Sequence, residues 1–193
     1  MGYLKQAGLL LIAMAAAMAF SAPALATVAT SPAGTAYTGK LKGESEGHVQ
    51  LTGPLGINVQ CAGFIEGSIE SHGASVTGKG KGEQWEYSNC TNGYSLERLS
   101  TGTIEVHALG NGLGTVTSSG TAGRVITPLG FNCVYETNNT DLGTVTDSSV
   151  TGGKATIHLN AALPRTGGSA FCGSTGEFSG SGVITIPSSI FID

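Results

Sequence analysis

The chain has 193 residues, among them 31 Gly, 4 Cys, 9 basic and 13 acidic residues, and a formal net charge of −4. No run of Lys or Arg stands ready to neutralise phosphates, which argues against nucleic acid as a partner. Residues 27–193 hold 29 Gly, 22 Thr and 18 Ser; all three are poor helix formers and Thr suits a pleated surface, so a mainly helical protein is excluded.

The chain opens on Lys5, an apolar run from Ala7 to Phe20, and the small-residue stretch Ser21-Ala22-Pro23-Ala24-Leu25-Ala26. This is the pattern of a secretory signal peptide ending in A-x-A, with cleavage expected between Ala26 and Thr27. The run is about 14 residues, short of the roughly 20 that span a bilayer, so no membrane segment is expected after cleavage. A small, Pro-containing entry segment over 27–35 reads as flexible. Residues 36–193 then read as one β domain, with two similar halves, 36–121 and 122–193, as a variant of that reading.

Within that domain, apolar and polar residues alternate with a period of two. Val49 and Leu51 come first, followed by Ile57, Val59 and Cys61, then Ile104 and Val106. Phe131, Cys133 and Tyr135, Ile157 and Leu159, and Ile184 and Ile186 continue the series. These positions predict half-buried strands with the named residues turned inward. Turn residues between the runs predict about ten to twelve short strands, arranged as an antiparallel β-sandwich or a barrel-like sheet with no substantial helix. Two echoes recur: Pro54-Leu55-Gly56-Ile57-Asn58 with Pro128-Leu129-Gly130-Phe131-Asn132, and Leu113-Gly114-Thr115-Val116-Thr117 with Leu142-Gly143-Thr144-Val145-Thr146. Their unequal offsets argue against a single tandem duplication.

Four cysteines, Cys61, Cys90, Cys133 and Cys172, lie beyond the leader. An even count in an exported chain predicts two disulfides. Of the three connectivities, Cys61 with Cys90 and Cys133 with Cys172 is favoured, because each pair is close in sequence and stays within one half. The spacings contain no C-x-x-C and no Cys–His arrangement suited to zinc.

Several strings imitate chemistry. Leu163-Pro164-Arg165-Thr166-Gly167 matches the L-P-x-T-G sorting pattern, but the residues after Gly167 are polar and Gly-rich and include no Lys or Arg, so the string reads as a turn before Phe171. Gly43-Glu44-Ser45-Glu46-Gly47 matches G-x-S-x-G without the helix that a nucleophile elbow needs. Two flanking carboxylates would also oppose an oxyanion, so a polar turn between two strands is expected there. His48, His72, His107 and His158 lie in separate segments, and the pairs Glu44 with Glu46 and Glu66 with Glu70 read as solvated strand faces. No catalytic, metal or cofactor-binding residue is predicted. Trp85, Tyr87 and Tyr94 form the one aromatic concentration; beside carboxylates and amides they could stack on a sugar ring, or pack inward beside Cys90.

The last third of the chain carries Asn132-Cys133-Val134-Tyr135, Leu142-Gly143-Thr144, Ala155-Thr156-Ile157, Ala162 through Ser169, Phe171-Cys172-Gly173 and a closing Gly-rich strand with Pro187. Over residues 128–193 it resembles small, uncharacterised secreted β-rich proteins of high-GC Gram-positive bacteria. That resemblance implies export, β structure and a Cys133 to Cys172 bridge, and supplies no activity. The expected function is therefore a non-enzymatic exported protein, secreted or held at the cell surface, with a structural or adhesive role. One version is a fibril subunit whose segment Thr27 to Thr38 adds to a neighbour's open sheet edge. The alternative is a glycan-binding module using the aromatic patch, with a secreted hydrolase behind both. The expected partners are other copies of the chain or a cell-surface glycan.

Overall fold

The computed structural model describes residues 29–31, 33, 35–69 and 75–192, with side chains for all of these except 75–85. The expected leader at 1–26 and His72 lie outside the described residues. Ten strands form one antiparallel sheet: β1 (Lys40–Ser45), β2 (Val49–Gly53), β3 (Ile57–Ile69), β4 (Ser75–Ser88), β5 (Ser95–Gly110), β6 (Leu113–Ile126), β7 (Asn132–Glu136), β8 (Thr140–Thr146), β9 (Thr156–Gly168) and β10 (Thr175–Ile186). Among the described residues one short α-helix, α1 (Ser148–Thr151), stands between β8 and β9, and three single 3-10 turns join other strands. Six of the strands are longer than the short segments that the alternation predicts, reaching 16 residues in β5. Bulges let the β3–β4 and β5–β6 ladders run on where the apolar pattern lapses, whereas β9 and β10 pair without one.

The pairings close on themselves. Both β1 and β2 lie antiparallel between β3 and β10, in nearly the same register, so they are one strand position interrupted at 46–48. Likewise β7 and β8 both lie between β6 and β9. The ten strands thus fill eight positions of an up-and-down meander whose last strand returns to its first, with Lys42 opposite Ile186. Of the two architectures expected, the barrel is the one formed. Closure pairs the edges that an open sheet would leave exposed.

Alternation then sorts the side chains. Val49, Leu51, Ile57, Val59, Cys61, Cys133, Tyr135 and Ile184 are buried as predicted, while Ile104, Val106, Ile157 and Leu159 are half-buried against the core. Two of the residues read as inward are not. Phe131 is 41% exposed because it sits in the turn before β7, its ring against Phe171 at 5.3 Å, and Ile186 is 43% exposed at the last residue of β10. The outward positions carry Lys42, Gln60, Glu97, Arg124 and Asn160, the reverse of the apolar outer belt that a membrane-spanning barrel needs. No helix among the described residues is long and apolar enough to cross a membrane.

The barrel has two differently built ends. At one, the predicted disulfides form: Cys61 bonds Cys90, and Cys133 bonds Cys172. They sit in an apolar cluster with Val59, Val125, Tyr135 and Phe178. At the other end the two ends of the described chain pair with each other. Thr30 and Phe191 exchange backbone hydrogen bonds of 3.0 and 2.9 Å, and Ala29, Ile190 and Ile192 are buried beneath the strands. The buried Asp147 carboxylate fastens this floor. It caps α1 by accepting from the Ser149 and Val150 N–H groups, and its Oδ2 accepts from the Ile192 N–H at 3.0 Å.

The Leu-Gly-Thr-Val-Thr echo acquires a physical meaning here. Its two copies, on β6 and β8, are antiparallel neighbours, with Gly114 opposite Val145 and Gly143 opposite Val116. A Cβ on Gly114 would stand 3.1 Å from Val145 Cγ1, whereas Gly143, at φ +138°, makes room for the backbone of β9, where a Cβ would run into the His158 carbonyl oxygen.

Candidate functional site

Between the disulfide cluster and the floor the barrel encloses a cavity of about 250 Å³. Leu41, Ile65, Val106, Leu142, Leu159 and Ile184 line its wall, Ile190 and Ile192 its floor, and Leu51, Tyr135 and Phe178 its upper part. Glycines at inward positions open this space. At Gly43 a Cβ would meet Ile65 Cγ2 at 3.3 Å, and at Gly63 it would meet the Tyr87 ring at 3.3 Å. Each neighbour therefore leans over a glycine instead of across the centre.

Among the described residues one cation, Arg98, reaches this apolar interior. On β5, Leu96 and Arg98 both line the cavity, while Glu97 and Leu99 between and beside them face outward. Arg98 Nη1 is buried and has no hydrogen-bond partner among the described residues. The nearby hydroxyls are already engaged. Thr121 donates to the Thr101 carbonyl at 2.8 Å, and Ser118 Oγ lies 2.8 Å from Thr121 Oγ1 and 3.0 Å from Thr137 Oγ1. Tyr135 donates to the Cys172 carbonyl at 3.2 Å, and burial pushes its phenol pKa up. Glu44 borders the cavity, but its carboxylate turns outward to Lys42 Nζ at 2.8 Å. The hydrogen bond and charge of Lys42 hold that carboxyl below its ordinary pKa.

The wall beside Arg98 is incomplete. β4 and β5 pair only through Ser75–Gly78 against Ile104–His107, and no ladder joins Ser95–Thr103 to β4 among the described residues. On the far side of β4 the register with β3 jumps between Ile65 and Gly67, which face Trp85 and Gly80, so four residues of β4 bulge against the single Glu66. A seam consequently runs along the upper half of the barrel where the neighbouring strands are fully laddered.

Two of the three predicted aromatic residues are placed at the disulfide cluster. Tyr87 lines the cavity and packs on the disulfide cluster, and Tyr94 packs on the same cluster from the β4–β5 connection. Trp85 pairs with Ile65 in the ladder, and its side chain lies outside the described residues. The Leu163-Pro164-Arg165-Thr166-Gly167 string is strand, not the predicted turn. It runs within β9, paired to β10 and β7, and Arg165 binds the carbonyls of Gly173, Gly168 and Ser169 to hold the connection to β10. The Gly43 to Gly47 stretch ends β1 and enters the interruption before β2, with Ser45 Oγ donating to the Gly47 carbonyl and accepting from Gly63 N–H. The polar connection expected between two strands is thus a bend at 46–47, and both flanking strands occupy one position of the sheet. His48 and His158 are exposed, and His107 sits near Glu105 at 3.6 Å on the outer face. No cluster of three metal-binding side chains occurs among the described residues.

Sequence reasoning missed Arg98. Its signal was present, since Arg98 stands two residues from Leu96 and so shares the inward face of a strand. The chain matches no protein-family model, no curated protein and no solved structure.

Proposed function

We propose that the chain is an exported, non-enzymatic binding protein whose β-barrel encloses a small apolar ligand. The observation that carries this reading is the apolar cavity between the disulfide cluster and the floor. Cavities of this kind, with apolar walls and few polar groups, are where small ligands are held. Export is supported by the leader pattern, the two disulfides and the resemblance to secreted β-rich proteins of high-GC Gram-positive bacteria. Among the described residues of the lining no nucleophile is hydrogen-bonded to a base, which favours binding over turnover.

The test is a titration of the purified protein with a neutral fluorophore that brightens in apolar surroundings. Saturable binding is expected. Replacing Ile65 by Trp, which fills the space beside Gly43, should weaken it by about tenfold or more while the circular dichroism spectrum stays that of a β protein. Unchanged binding in I65W would remove the cavity as the site.

A structural or adhesive role retains one supporting observation. Leu55 (78% exposed), Leu129 (82%) and Phe171 (60%) join Phe131 on the connections at the disulfide end, more apolar surface than loop tips need. Association that vanishes in Leu129→Glu during size-exclusion chromatography would favour that role.

A further inference from the structure

We infer that the ligand is an amphiphile with a single anionic head, a carboxylate held by Arg98, and an apolar chain that runs down the barrel toward Ile190 and Ile192. The inference rests on the cavity reading above and adds the chemical class of the ligand.

An inward arginine in an apolar cavity is a poor choice for packing alone. A guanidinium carries five N–H donors, and burying one donor without an acceptor forfeits the hydrogen bonds that it made in water. Here Nη1 is buried and no acceptor among the described residues takes its N–H. Among the described residues no carboxylate pairs with Arg98: Glu97 lies outward at 3.6 Å from Arg124, and Glu44 is bound to Lys42. An anion brought by the ligand would complete the pair, and the planar guanidinium matches a carboxylate through two parallel hydrogen bonds.

The rest of the lining selects the rest of the ligand. Between Arg98 and the floor the walls are mostly aliphatic, from Ile65 and Ile104 to Val116 and Val145, with the hydroxyls of Thr121 and Thr137 near the head group's end. A sugar or a peptide backbone would leave its polar groups without partners there, whereas a hydrocarbon chain would not. The position of the head group also fits the wall: Arg98 stands on the stretch of β5 that has no ladder to β4, so a chain could enter sideways through the seam and leave its head beside the guanidinium.

The full chain, produced with its own leader in an oxidising host and recovered from the exported fraction, should be titrated with decanoic acid and with decanol at neutral pH, each displacing the neutral fluorophore. Decanoate is expected to bind about tenfold more tightly than decanol, and Arg98→Met should erase that difference while leaving decanol binding intact. Arg98→Lys should keep part of the preference, as a charge without the fork. Equal affinity for acid and alcohol in the unaltered protein, which needs no variant to fold, would overturn the inference while the cavity reading stands. A preference for the acid that persists in R98M would overturn it as well. Failure of the fluorophore, the acid and the alcohol alike to bind would remove the cavity reading, and this inference with it.

Discussion

The two ends of the barrel are closed by different chemistry. At one end Cys61, Cys133 and Cys172 are fully buried and two covalent bridges tie the connections to the strands. At the other, the floor depends on hydrogen bonds accepted by one carboxylate and on the pairing of Thr30 with Phe191. Reductant is therefore expected to loosen the first end and acid the second. A cavity between two such ends has two independent ways of being opened.

The largest effect should come from the covalent end. With sequence separations of 29 and 39 residues, the loop-entropy relation gives about 3.6 kcal/mol for Cys61–Cys90 and about 3.9 kcal/mol for Cys133–Cys172. Urea unfolding with and without reductant measures this, and a midpoint that reductant leaves in place would refute the contrast. Next comes Asp147→Ala, which strips the cap of α1 and the acceptor for Ile192; a loss of about 1–3 kcal/mol is expected.

The same carboxylate sets the acid response. Burial by itself would raise its pKa, but the Ser149 hydroxyl and the backbone N–H groups of Ile192, Val150 and Ser149 outweigh that and lower it beneath the ordinary 3.8. Because the folded value is the lower one, its stabilisation is complete above 3.8 and is lost as pH falls through the depressed value. Amide exchange at Ile190 and Ile192 should therefore accelerate in acid before exchange around Cys133 does. Uniform acceleration would show that the ends are coupled. The smallest effect belongs to the exposed pair of Glu97 with Arg124 at 3.6 Å, where Glu97→Gln should change stability by less than about 0.5 kcal/mol.

The strands were legible because alternation reports burial directly, as at Val49 and Leu51 or Ile57, Val59 and Cys61. Barrel closure was not, since it depends on Lys42 meeting Ile186 across nearly the whole chain. Short-range pattern likewise misread Phe131 and Ile186, whose strands begin or end beside them, and read a turn into Leu163 to Gly167, where Pro and Gly are accommodated within β9. The cavity was hidden for a related reason. Gly43 and Gly63 look like turn residues in a linear string, and only the register places them on the inner wall. Arg98 was legible in principle, but one charged residue in a polar stretch carries no weight until the strand's inward face is known.

The pairing of Thr30 with Phe191 brings the two ends of the described chain to one strand spacing, about 5 Å apart. The polypeptide is therefore almost a ring. A short linker between those ends, with a new opening at the Asn111-Gly112 turn between β5 and β6, would yield a circular permutant with every ladder retained. In such a permutant Asp147 would still grip the segment at Ile192, now as an internal loop instead of a tail.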